Sequence, residues 1–295
     1  MANKFLCRWS EQVKLRLSCK AIMIALSVAL SNVATSEELK VYNFSPVNQY
    51  NLNLSASFWN PIIKYVSEKS GVNLTLKLGR TSSDTTSYVL AQEVDFAFTN
   101  HLFSPERDKM GWTVFGRRDA PALEGQIVVP VDSPIHSLSE LAGKEVVYPG
   151  PEAFIAYKVT SSELVKQGIN TSTVFAGNMD GAFSQLLSGK AQAMGANSQL
   201  VSGYTEREGK SFRVLWSSAS FNDLALMASP RVSKKERDAV ANAFLNMQHD
   251  ADGSRILREA TELVHAPAPI TFIPATEADY ASYRDFYKSL PANLK

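Results

Sequence analysis

Twice in this chain a helix end, a polar break and a short apolar run close on an asparagine. The first copy is VLAQEVDFAFTN, Val89 to Asn100, and the second is LLSGKAQAMGAN, Leu186 to Asn197. A strand that ends on a polar side chain delivers it to a loop at its carboxyl end, which in open α/β sheets is where ligands bind. Two such ends predict two half-sites. They constrain the chain to an α/β architecture in which one unit recurs.

The surrounding sequence supplies those units. LKVYNFSP (Leu39 to Pro46) alternates as a strand and stops at Pro46. SASFWNPIIKYVSEKSG reads as a helix that Ser55 or Ser57 caps and Gly71 ends, with Phe58, Ile62, Tyr65 and Val66 recurring at helical spacing. VNLTLKLG is a second strand, and TTSYVLAQ a second helix leading into VDFAFTN. This is a parallel strand–helix alternation. The pattern then resets. QIVVPVDSPI (Gln126 to Ile135) is a strand, HSLSELAGKEVVYPG a short helix, a turn and a strand, and EAFIAYKVTSSELVKQGI one long helix closed by Gly168. TVFAG, GAFSQLLSG and AQAMGAN complete the second unit, FRVLWSSA and DLALMASP add strands, and the chain from Ser233 reads as helical.

The expected fold is therefore α/β, with two α/β lobes joined by a two-crossing hinge. Lobe one takes 37–125 and 226–295, and lobe two takes 126–225, with crossings near Gln126–Val129 and Asn222–Met227. Lobes joined this way close around a ligand, which makes the two Asn-ended strands walls of one cleft.

The length of 295 residues and a composition 45% hydrophobic and 20% charged fit such a globular chain. Residues 1–36 read as a cleavable export signal. Lys14, Arg16 and Lys20 precede the apolar run Ala21 to Leu30, and Ala34-Thr35-Ser36 resembles an A-x-A cleavage site. The alternative is an uncleaved membrane anchor. This segment carries +4 of a chain total of +1, which leaves the mature protein near −3. No basic patch remains for nucleic acid. Cys7 and Cys19 both leave with the signal, so the mature chain has neither disulfide nor thiol chemistry. An exported, disulfide-free chain of this size suits a bacterial periplasm.

Several elements, in order, carry a family resemblance: the L-x-x-x-V-D-F-A element through Val94 to Ala97, VPVDSPIHSLSELAGKEV ending at Val146, and the Pro-Gly loop into a helix. Together these resemble the phosphate/phosphite/phosphonate-type solute-binding proteins of ABC importers, over nearly the whole mature chain. The resemblance implies a type II periplasmic-binding fold, capture of a small oxyanion, and delivery to a membrane permease. Such proteins place Ser-Thr-Ser at the start of the long second-lobe helix, where helix amides and hydroxyls hold the anion. Here the corresponding stretch runs Pro151-Glu152-Ala153-Phe154-Ile155-Ala156. The amides are kept, the hydroxyls are absent, and Glu152 adds negative charge. On sequence this predicts weak binding of phosphate and simple alkylphosphonates.

Candidate ligand-binding residues follow. In the loop GRTSSDTTSY, Arg80 offers charge and Thr81, Ser82 and Ser83 offer hydroxyls; ordinary helix capping is the competing role. Thr99, Asn100 and His101 follow the first repeated strand, and Asn197 and Ser198 the second; such residues can also satisfy only the loop backbone. Glu152, Phe154 and Tyr157 could shape a pocket for a ligand carrying an amine or an apolar group, or serve the helix dipole and the core. The resemblance adds Tyr50, Gln126, Asn178 and Asp223 at loop or crossing positions.

Catalysis has no motif. His101, His136, His249 and His265 lack metal-ligand spacing, and H-E-x-x-H, C-x-x-C, G-x-S-x-G and the phosphate-binding G-x-x-x-x-G-K-[ST] are absent. No cofactor or metal is expected. The expected partners are a small-molecule ligand and either an ABC permease or a sensor kinase in the inner membrane, with the protein itself a monomer.

Overall fold

The computed structural model of the protein describes residues 40–291 and Leu294. The segment read as an export signal lies outside the described residues. The described residues from Val41 onward form one compact unit built on two sheets. The strands are β1 (Val41–Pro46), β2 (Asn73–Leu76), β3 (Phe96–Thr99), β4 (Thr113–Arg118), β5 (Leu123–Pro130), β6 (Glu145–Tyr148), β7 (Ser172–Phe175), β8 (Ala193–Asn197), β9 (Phe212–Phe221), β10 (Ala225–Ala228) and β11 (Phe272–Ile273).

The first sheet has the order β11-β4-β10-β3-β1-β2, and the second β7-β6-β8-β5-β9. β1 pairs in parallel with β2 and β3, while β10 runs antiparallel between β3 and β4. In the second sheet β6 is parallel to β7 and β8, and β5 is antiparallel to β8 and β9. Burial follows position. Central β3 (FAFT), β8 (AMGAN) and β10 (ALMA) are buried throughout and carry apolar or small residues, whereas edge strands β7 and β9 are largely open.

The chain passes between the sheets at 119–122 and 222–224, on either side of the β5–β9 segment. Gln126–Val129, expected near the first passage, lie within β5 and pair in its ladders. The two passages are fastened to each other. Arg118 at the end of β4 donates to Asp223 through Nε (2.6 Å) and Nη2 (3.1 Å). Tyr280, just before the final helix Ala281–Ser289, and Tyr283 within it donate to the carbonyls of Asp223 and Asn222.

Two helix starts differ from the sequence expectation. The Leu52–Ser70 helix is capped by Asn51, whose side chain accepts from the Leu54 amide, because Ser55 is turned inward to donate to Asn48. The long second-lobe helix begins as a π-helix, Phe154–Val159, before the α-helix Thr160–Lys166. Its wide first turn is visible in the Lys158 amide donating to the Ala153 carbonyl at 3.1 Å. Three consecutive hydroxyls favour the irregularity: Thr160, Ser161 and Ser162 donate to the carbonyls of Ala156, Tyr157 and Val159. Glycines in the sheet below make room. A Cβ at Gly125 would stand 2.9 Å from the Ile155 carbonyl oxygen, and one at Gly195 would overlap the Ala156 carbonyl and the Tyr148 ring.

Candidate ligand site between the two sheets

The carboxyl ends of the parallel strands of both sheets meet at one cavity of about 40 Å³. From the first sheet come Val47, Asn48 and Gln49 after β1, Asn100 and His101 after β3, and Ser82 from the loop after β2. From the second come Pro149 after β6, the helix start Ala153 to Ala156, Met179, and Asn197 at the end of β8 with Leu200. Leu224, from the second passage, closes the lining.

The polar groups here are neutral donors and acceptors. The Ser82 hydroxyl is buried, with the residue 3% exposed, and has no hydrogen-bond partner among the described residues. Gly150 leaves the space that hydroxyl occupies: a Cβ there would lie 2.6 Å from Ser82 Oγ. Phe154, Ile155 and Ala156 occupy the first turn, where amide N–H groups lack intrahelical acceptors. His101 is fully buried, and desolvation pushes its pKa down to about 4, so the ring is neutral at pH 7. Its Nδ1 shares a 2.9 Å hydrogen bond with Thr86 Oγ1. Asn197 caps the Ser198–Glu208 helix by accepting from the Gln199 amide.

Contacts between the elements of the two sheets surround the cavity. The Ser82 amide donates to the Gly177 carbonyl at 2.7 Å. Asn51 donates through its amide and side chain to Asp180 Oδ2 (2.9 and 3.1 Å), and Arg207 holds Oδ1 of the same carboxylate at 2.7 Å. Arg107 grips Glu152 at two points, Nη2 donating to Oε1 at 3.0 Å, and also donates to the His101 carbonyl.

Of the residues singled out by sequence, Ser82, Asn100, His101, Phe154 and Asn197 line the cavity. The others do not, each for a specific reason. Arg80 is exposed, and Thr81 donates instead to Asp84. Ser83 lies against Gly150, outside the lining. Thr99 accepts from the His101 amide through Oγ1, and Ser198 likewise accepts from the Glu124 amide. Gln126 turns to Ser217 across β5 and β9. Asn178 caps the Met179–Leu187 helix by accepting from Gly181. Tyr157 stands edge-on to Tyr148 and Phe175, away from the cavity. Tyr50 is buried beside Arg118, and Asp223 is consumed by that same arginine.

Glu152 corrects the sequence expectation most directly. Its carboxyl lies below the ordinary carboxylate range: burial alone would raise it, but the Arg107 hydrogen bonds and charge outweigh burial. The negative charge expected to repel an anion is thus matched by a cation from the first lobe. Asn48, Gln49, Met179, Leu200 and Leu224 were not singled out by sequence. Asn48 and Gln49 follow the end of β1, so the strand-end rule that found Asn100 would have found them. Leu200 and Leu224 read only as core.

The chain matches the family model for the periplasmic substrate-binding protein of phosphonate ABC transporters over residues 44–280. Among curated proteins nothing matches. Among solved structures, PhnD1 of Prochlorococcus marinus in complex with methylphosphonate is similar at TM-score 0.70 and 14% identity, covering 85% of this chain and 98% of that one. A binding-protein component of a Pseudomonas aeruginosa phosphonate ABC transporter is similar at TM-score 0.70 and 15% identity, with 84% and 86% covered. A Xanthomonas citri protein bound to ATP is similar at TM-score 0.64 and 14% identity, with 84% and 96% covered. The fold is that of the type II periplasmic binding proteins. With most of its length matched, the chain belongs to the family of periplasmic substrate-binding proteins that serve phosphonate ABC transporters, a transport family rather than an enzyme family.

Proposed function

We propose that the protein captures a small oxyanion of the phosphonate class between its two lobes and presents the closed form to an ABC permease. The orphan hydroxyl of Ser82 carries this reading. A buried polar group without a partner is costly, and this one faces a cavity that the first-turn amides of the Phe154 helix also reach. Those amides and the partial positive charge of a helix start suit an anion, and the neutral His101 ring and Asn side chains can complete its hydrogen bonds. The full charge of the ligand is then met by dipoles rather than by a lysine or arginine.

Isothermal titration calorimetry with methylphosphonate, phosphite and inorganic phosphate tests the proposal. Saturable binding of at least one of them, with a matching rise in thermal stability, is expected. Ligand at a hundredfold excess over Kd stabilises by about 2.7 kcal/mol. No heat and no thermal shift with any of the three refutes it. We further place the protein as a periplasmic monomer after loss of residues 1–36. A membrane sensor kinase is the competing receiver of the closed form; ligand-dependent stimulation of a reconstituted permease's ATPase activity separates the two.

A further inference from the structure

We infer that the site selects an oxyanion whose substituent is small and uncharged, and rejects one bearing an ammonium group, because Arg107, Arg118 and Arg207 already occupy the three carboxylates that adjoin lining residues of the cavity. This rests on the oxyanion reading above and deepens it. Glu152 immediately precedes the lining residue Ala153, Asp223 immediately precedes the lining residue Leu224, and Asp180 immediately follows the lining residue Met179. These are the carboxylates an ammonium at this site would call upon.

None of the three is available, and Asp180 is held by Asn51 at one oxygen and by Arg207 at the other. Asp223 is fully buried and accepts from Arg118 Nε (2.6 Å), from Arg118 Nη2 (3.1 Å) and from the Leu224 amide (2.7 Å). Glu152 is held at both oxygens by Arg107. Two of the lining amide oxygens are also taken, that of Asn48 by Ser55 and that of Asn197 by the Gln199 amide. Burying an ammonium without a free carboxylate to pair with is heavily penalised. Val47, Phe154, Met179, Leu200 and Leu224 give the cavity an apolar side that suits hydrogen or methyl on phosphorus. Size agrees with charge. The cavity, at about 40 Å³, is small.

Calorimetry on the purified full-length mature protein with methylphosphonate, phosphite and 2-aminoethylphosphonate decides it. The first two should bind, and the third should bind at least about tenfold more weakly than methylphosphonate. Aminoethylphosphonate binding as tightly as methylphosphonate overturns the inference while leaving the oxyanion reading intact. Failure of all three overturns both. The Arg107→Met variant releases Glu152 and should raise the aminoethyl-to-methyl affinity ratio by about fivefold or more. An unchanged ratio in a folded variant removes Arg107 as a determinant of selectivity.

Discussion

Ser82→Ala should move stability and affinity in opposite directions. Without ligand, the Ser82 hydroxyl is buried with no partner among the described residues. Such a group costs about 1–3 kcal/mol relative to one that is satisfied or absent. Replacing it with a methyl group removes that penalty and leaves the Ser82 amide bond to Gly177 in place. The unliganded variant should therefore be more stable than the wild type, by about 1–3 kcal/mol. With an oxyanion bound, the hydroxyl makes a charge-assisted hydrogen bond of about 1.5–3 kcal/mol, so the variant should bind roughly ten- to a hundredfold more weakly. Urea unfolding of the free proteins and calorimetry with methylphosphonate read the two effects separately. A structural hydroxyl would give the reverse, with loss of stability and unchanged affinity. That result would refute the reasoning.

Three other perturbations follow from the same geometry. Arg80→Ala should leave oxyanion affinity within about twofold of wild type by calorimetry, because the side chain is exposed and away from the cavity. Asp223→Ala should cost about 3–5 kcal/mol in urea unfolding, since it leaves the buried Arg118 guanidinium uncompensated. For His101 the folded pKa of about 4 lies below the ordinary 6.5. The unfolded chain therefore takes up the proton first as pH falls. Its contribution is constant above pH 6.5 and declines toward pH 4, by about 3 kcal/mol in all. Unfolding titrations of wild type and His101→Gln should differ by that slope, and parallel curves would show that the ring titrates normally.

The sequence made the alternation of elements legible because strands and helices leave different periods. Asn100 and Asn197 both reach the cavity because a strand's carboxyl end has a fixed relation to the sheet, which holds without tertiary detail. The charged residues were not legible in that way. Glu152 and Arg107 are 45 residues apart, and Asp223 and Arg118 are 105 apart. Whether a carboxylate faces a ligand or a guanidinium depends on such distant partners. Local register was also underdetermined. Asn51, Ser55 and Ser57 are all competent caps, and Asn51 takes the role while its own amide and side chain are held by Asp180. The π-helix was hidden because the apolar spacing after Phe154 reads equally well as α.

The position of β10 in the first sheet sets an order on folding. That strand lies between β3 and β4, yet it is the first strand made after the whole second sheet. A chain entering a compartment amino terminus first can form β1, β2 and β3 early. The facing edges of β3 and β4 then have no neighbour until residues 225–228 arrive. The β5–β9 segment is continuous and can complete its own pairing in the meantime. Unpaired strand edges are where misassociation begins, and FAFT in β3 is apolar enough to matter. A chain truncated before Ala225 would thus keep an intact second sheet and expose an open seam through the first.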